Sequence, residues 1–122
     1  KKFIKPNGIL VITCPNGDGF DVRFLLKNSA TIDHEHLNYF NPDSIAIALK
    51  KLNFNIIEIF TPGKLDLDIV KNTLKRKKIT TLKNYFFDKI IFNENKDLSD
   101  NFQKFLVKNK LSSNMWVVAK SK

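Results

Sequence analysis

The run Ile9-Leu10-Val11-Ile12-Thr13 constrains this chain more than any other feature. It follows the turn signal Pro6-Asn7-Gly8 and is stopped by Pro15-Asn16-Gly17-Asp18-Gly19, where proline and glycine break pairing. It is short, β-branched and uninterrupted, so it predicts a strand buried on both faces, as inside an α/β sheet. Phe54 to Phe60 predicts a second strand, closed by Thr61-Pro62-Gly63. Met115 to Ala119 predicts a third; it is apolar throughout, which suits a central place in the sheet.

Helical signals lie between these runs. Asn41 is a capping residue, Pro42 fits the first helical position, and Asp43 complements the positive end of the dipole. Ile45, Ala48, Leu49 and Leu52 then recur on one face, and Asn53 is a suitable stop. Residues 20–40 show no clean period and predict a long loop, with one helical turn around Val22 to Leu26. Residues 64–111 predict a helical insertion. Asp66 or Asp68 starts its first helix, with Leu67, Val70 and Leu74 on one face. Tyr85 to Phe92 is its most apolar segment, and Leu98, Phe102, Phe105 and Leu106 mark a last amphipathic helix. No linker divides the chain, so residues 1–122 are expected to form a single domain.

With 122 residues and 43 % hydrophobic content, the chain has enough apolar material for a core. No apolar run reaches the roughly 20 residues that cross a bilayer, and nothing near residue 1 has signal-peptide length. The single cysteine, Cys14, cannot form an internal disulfide and points to a reducing compartment. The expectation is a soluble cytoplasmic protein without a membrane partner. A net charge of +9 permits nucleic acid as a partner, but lysine is spread along the whole chain and reads as compositional bias. The one dense run, Lys75-Arg76-Lys77-Lys78, offers a phosphate site or a solvated helix end, and the second reading is favoured.

Two stretches carry a family resemblance. Lys5-Pro6-Asn7-Gly8-Ile9-Leu10-Val11-Ile12-Thr13, with Cys14-Pro15-Asn16 after it, resembles the fifth-strand region of class I S-adenosylmethionine-dependent methyltransferases. Glu35-His36-Leu37-Asn38-Tyr39-Phe40, then Pro42-Asp43-Ser44-Ile45, is similar to the segment that opens that superfamily's next helix. Leu52-Asn53-Phe54-Asn55-Ile56 stands where that helix gives way to the sixth strand. The resemblance covers residues 5–61 and, in outline, 112–120. It implies an α/β fold: the carboxy-terminal part of a Rossmann-like methyltransferase sheet. Its three strands would take the order 5-7-6, with the last antiparallel between the other two. The family binds S-adenosylmethionine through a Gly-rich loop after its first strand and an acidic residue ending its second. Both belong before residue 1, so no cofactor-binding residue is expected here. Gly17-Asp18-Gly19 follows a strand, but Pro15 intervenes and no helical period begins directly after it, so it is set aside as a cofactor loop.

Ligands of open α/β sheets sit beyond the carboxyl ends of the strands. That places Cys14, Pro15, Asn16 and Asp18 at a substrate rim, where Asn16 either contacts substrate or bonds its own backbone as a turn residue. The resemblance implies a small-molecule methyl acceptor, unidentified but small or sugar-like. It marks His36 as a general base or substrate contact; capping or bonding a backbone carbonyl is the alternative. His34, Asn38 and Tyr39 are further candidate substrate contacts. His34, Glu35 and His36 lack the spacing of a metal site, so no metal is expected. The Ile9–Thr13 strand would be left as a sheet edge, a pairing hazard. Its cover would be a second copy in a two-fold homodimer, a rearranged helix, or sequence before residue 1. Two other functions stay open: a non-catalytic binding or assembly module, and a basic nucleic-acid-binding domain.

Overall fold

The computed structural model describes residues 3–79 and 84–122; residues 80–83, within the expected insertion, lie outside the described residues. The chain is α/β, with a three-stranded sheet in the order β1-β3-β2. Strand β1 is Ile9–Pro15, β2 is Phe54–Phe60 and β3 is Asn114–Ser121. Strand β3 is antiparallel to both neighbours, so β1 and β2 run parallel to each other. The turn before β1 is held by Asn7 in the left-handed region at φ 63°, which asparagine tolerates better than most residues.

Helix α1 is Phe20–Leu25, followed by a 3-10 turn at Leu26–Asn28. Order therefore begins sooner after β1 than the missing period suggests. Phe20 and Leu25 supply the reason, because both are buried in a helical core. Helix α2, Pro42–Lys51, starts as expected. Asn41 Oδ1 accepts from Ser44 N at 2.8 Å, and Ser44 Oγ accepts from Asn41 N at 2.9 Å, a reciprocal capping box. Asn53 follows its end with φ 59°. Ile45 and Leu49 are buried, but Leu52 lies past the last turn and is exposed.

Helix α2 covers only one face of the sheet. Ile45 and Leu49 pack there with Phe54, Met115, Val117 and Ala119, and Leu10, Ile12 and Cys14 join them. The expectation that β1 is buried on both faces is thus corrected: Ile9 and Val11 are 56 % and 54 % exposed. They alternate with the α2-facing residues, and a strand covered on one side buries every second side chain. Pro15 closes β1 rather than lying beyond it, which an edge strand tolerates.

The remaining helices form a second core beyond the carboxyl ends of β1 and β2. Helices α3 (Asp66–Arg76), α4 (Tyr85–Ile91) and α5 (Lys96–Lys108) fall within the expected insertion. Leu67, Val70 and Leu74 of α3 pack with Ile90, Ile91 and Leu106, and Phe20 and Leu25 come from α1. The basic run at the end of α3 is exposed; Lys77 Nζ donates to the carbonyl of Asn28 at 3.0 Å.

Two buried side chains tie this core to the sheet. Asp66 Oδ1 accepts from Ser113 N at 2.6 Å, and the other carboxylate oxygen accepts from Gln103 Nε2 of α5. Asn16, fully buried, donates from Nδ2 to the carbonyls of Lys110 and Ser112, each at 2.9 Å. Its Oδ1 accepts from Asp18 N at 3.0 Å. Among the described residues no helix is long and apolar enough to cross a membrane.

Candidate functional site at the carboxyl ends of the strands

A cleft of about 710 Å³ opens at the carboxyl ends of β1 and β2. Strand β1 contributes Thr13, Cys14 and Pro15, and β3 contributes Asn114 and Trp116. The far wall is the loop after α1, with Ala30, Thr31 and His36; Pro62 and Ile69 close the remaining side. This is the crevice where open α/β sheets take their ligands. Trp116 stands opposite Thr13 on one side and Phe60 on the other, so the three share the face that α2 leaves uncovered. The Phe60 and Trp116 rings stack at 6.0 Å, and Trp116 keeps 41 % exposure.

The loop at 29–40 contains no helix or strand, yet a hydrogen-bond series fixes its shape. Asp21, fully buried on α1, accepts from Ser29 Oγ at 2.8 Å and from Thr31 Oγ1 at 2.6 Å. Tyr39 Oη donates to the Thr31 carbonyl at 3.0 Å and accepts from Asp33 N at 3.0 Å. Asp33 Oδ1 in turn accepts from the backbone N–H groups of Glu35 and His36, at 2.9 and 3.1 Å. The same oxygen lies 3.0 Å from His36 Nδ1. A carboxylate there favours the tautomer with the proton on Nδ1, leaving Nε2 as the free acceptor nitrogen. The histidine contact, followed by the two backbone donors, holds the Asp33 carboxyl below the usual carboxylate range. Burial pushes the Cys14 thiol up, so it stays protonated at neutral pH.

Of the residues placed at the rim or singled out as substrate contacts from sequence, Cys14, Pro15 and His36 line the cleft. Asn16 spends both amide hydrogens and its oxygen on backbone groups, which is the structural reading of that residue. Asp18 is paired with Arg23. Tyr39 braces the loop through its hydroxyl, and His34 and Asn38 are exposed outside the cleft lining. Sequence reading missed Thr13, Asn114 and Trp116, which looked like ordinary strand residues. It also missed Asp33, for which the Asp-x-x-His spacing was the available signal. Among the described residues, no three His, Cys, Asp or Glu side chains gather as a metal site.

The Gly17 and Gly19 turn is packed against the chain itself. A Cβ on Gly17 would stand 2.8 Å from the Tyr39 carbonyl oxygen, and one on Gly19 would stand 2.8 Å from Ser113 Cα. These glycines permit close backbone approach within the chain. Compared with known proteins, the chain matches no family model, no curated protein and no solved structure at the significance required.

Proposed function

We propose that these residues are the carboxy-terminal, acceptor-side portion of a class I methyltransferase that uses S-adenosylmethionine. One observation carries the reading. An antiparallel β3 lies between two parallel strands whose carboxyl ends open together on a cleft lined by His36. The resemblance at residues 5–16 and 35–45 maps onto the same two places: strand β1, and the loop and capping box that lead into α2. The Gly17–Gly19 turn packs against its own neighbours, which supports leaving cofactor binding to other parts of the protein. Cofactor binding is accordingly assigned to sequence outside these 122 residues. A cytoplasmic setting belongs to the same reading, supported by the lone Cys14.

In this reading His36 Nε2 would take the proton of an acceptor hydroxyl; the methyl group would come from S-adenosylmethionine held elsewhere in the protein, with S-adenosylhomocysteine as the leaving product. Asp33 holds the ring and stabilises the imidazolium that forms, the orienting role a carboxylate plays beside a catalytic histidine. Methyl transfer depends chiefly on alignment of the two reactants, which accounts for a site with one acid–base pair. Titration calorimetry of this chain with S-adenosylmethionine should give no binding heat. Saturable binding would put a cofactor site within these residues and overturn the division.

For these residues on their own, the reading includes a homodimer through β1, the edge that a neighbouring strand of the parent enzyme would otherwise cover. Ile9 and Val11 are exposed on a sheet edge whose outer backbone groups can accept another strand. Sedimentation should find a dimer, with slow amide exchange across residues 9–13. A monomer with fast exchange there would contradict it.

A further inference from the structure

We propose that the cleft binds an uncharged, hydroxyl-bearing sugar ring, a pyranoside that lies against Trp116 and hydrogen-bonds to Thr13, Asn114 and His36. This deepens the acceptor-side reading and rests on it for its place in a reaction. The binding itself is argued from the lining alone.

Charge makes the first selection. The chain carries a net +9, yet the described residues around the cleft include no Lys, Arg, Asp or Glu. An anionic ligand would find no lining cation to replace its water, and a cationic one no lining carboxylate, since Asp33 lies outside the lining and already engages His36 and two backbone N–H groups. The Cys14 thiol adds no charge at neutral pH, since burial raises its pKa.

Shape and polarity make the second. The indole of Trp116 is held by its stack on Phe60 and keeps 41 % exposure at the cleft. Such a surface takes a ligand with a flat apolar side. Polar groups surround it that the fold does not use: among the described residues, the Thr13 hydroxyl and the Asn114 amide make no side-chain hydrogen bond, and His36 keeps Nε2. The hydroxyl and the amide each donate and accept, the imidazole Nε2 accepts, and ring hydroxyls need that mixture. A volume of about 710 Å³ is ample for one sugar ring and leaves space for a second or for water.

Trp116 is the chain's only tryptophan, so its fluorescence reports this cleft without interference. Titration with a methyl pyranoside should give a saturable change in emission. Thr13→Val and Asn114→Ala each remove one hydrogen-bonding partner and should each weaken binding by about tenfold. Both positions are exposed in the strands, so the fold should hold and circular dichroism would verify it. A pyranoside phosphate should bind no more tightly than the neutral glycoside. Three results would overturn the proposal: no change in emission with any glycoside, a phosphate that binds more than about tenfold tighter, or a nucleoside that binds where the glycosides do not. No cofactor enters the titration. Failure here leaves the methyltransferase reading standing, and failure of that reading leaves glycoside binding standing.

Discussion

Asn16→Asp should leave this chain unfolded or barely folded at room temperature. The native amide donates to the part-buried carbonyl of Lys110 and the buried carbonyl of Ser112, each at 2.9 Å, from a side chain with no solvent exposure. A carboxylate in that place sets an oxygen against both carbonyls, leaves both without a donor and buries a charge. Each lost partner costs about 1–3 kcal/mol, and an unpaired buried charge adds several more. The sum is comparable to the whole stability of a small domain, about 5–15 kcal/mol. The location magnifies the loss, because residues 16–20 and 110–113 form the seam between sheet and helical core. Asn16 N donates to the Ser113 carbonyl and Phe20 N to the Leu111 carbonyl, both at 2.8 Å. Asp18→Asn, two residues away on the exposed pair with Arg23, should change stability by less than about 1 kcal/mol. Urea unfolding followed by circular dichroism compares the two. An Asn16→Asp protein with a native midpoint would contradict the role given to this side chain.

Under the proposed methyltransferase reading, His36→Gln in the full-length protein should lower turnover by about 100- to 10,000-fold, the range for loss of a positioned general base. The dependence follows from geometry: Asp33 Oδ1 at 3.0 Å fixes Nδ1, and the ring lines the cleft where the acceptor would sit. Glutamine keeps a hydrogen-bonding side chain but cannot accept the proton. Affinity for S-adenosylmethionine should stay unchanged, since the proposed reading assigns His36 to the acceptor side. Asp33→Asn should cause a smaller loss, because it disturbs the orientation of the base and leaves the imidazole in place. Steady-state kinetics with the acceptor in excess would measure both. Unchanged turnover in His36→Gln would remove the histidine from the chemistry.

Sequence made the sheet and the main helices legible because their signals are local. The capping box at Asn41 and Ser44 and the face of Leu67, Val70 and Leu74 need only neighbouring residues to be read. The central place of β3 was readable from its continuous apolar run. One-sided burial of β1 was not, because Ile9 and Val11 are as apolar as Leu10 and Ile12. Which of them faces α2 is decided by tertiary packing. The cleft was legible at His36 and at the end of β1, Cys14 and Pro15. Thr13 and Trp116 meet through pairing of residues far apart in the chain, and Asn114 arrives with the same strand. Asn16 was legible as a polar residue at the end of a strand. Its partners, ninety-odd residues away, turn it into a structural clip.

The central claim is that these residues form the acceptor side of an enzyme whose cofactor side lies elsewhere in the same reading frame. Calorimetry with S-adenosylmethionine on the full-length protein, run beside this chain, tests it most directly. Saturable one-to-one binding by the full-length protein, with none by the chain, is the result predicted. A full-length protein that does not bind S-adenosylmethionine would contradict the account.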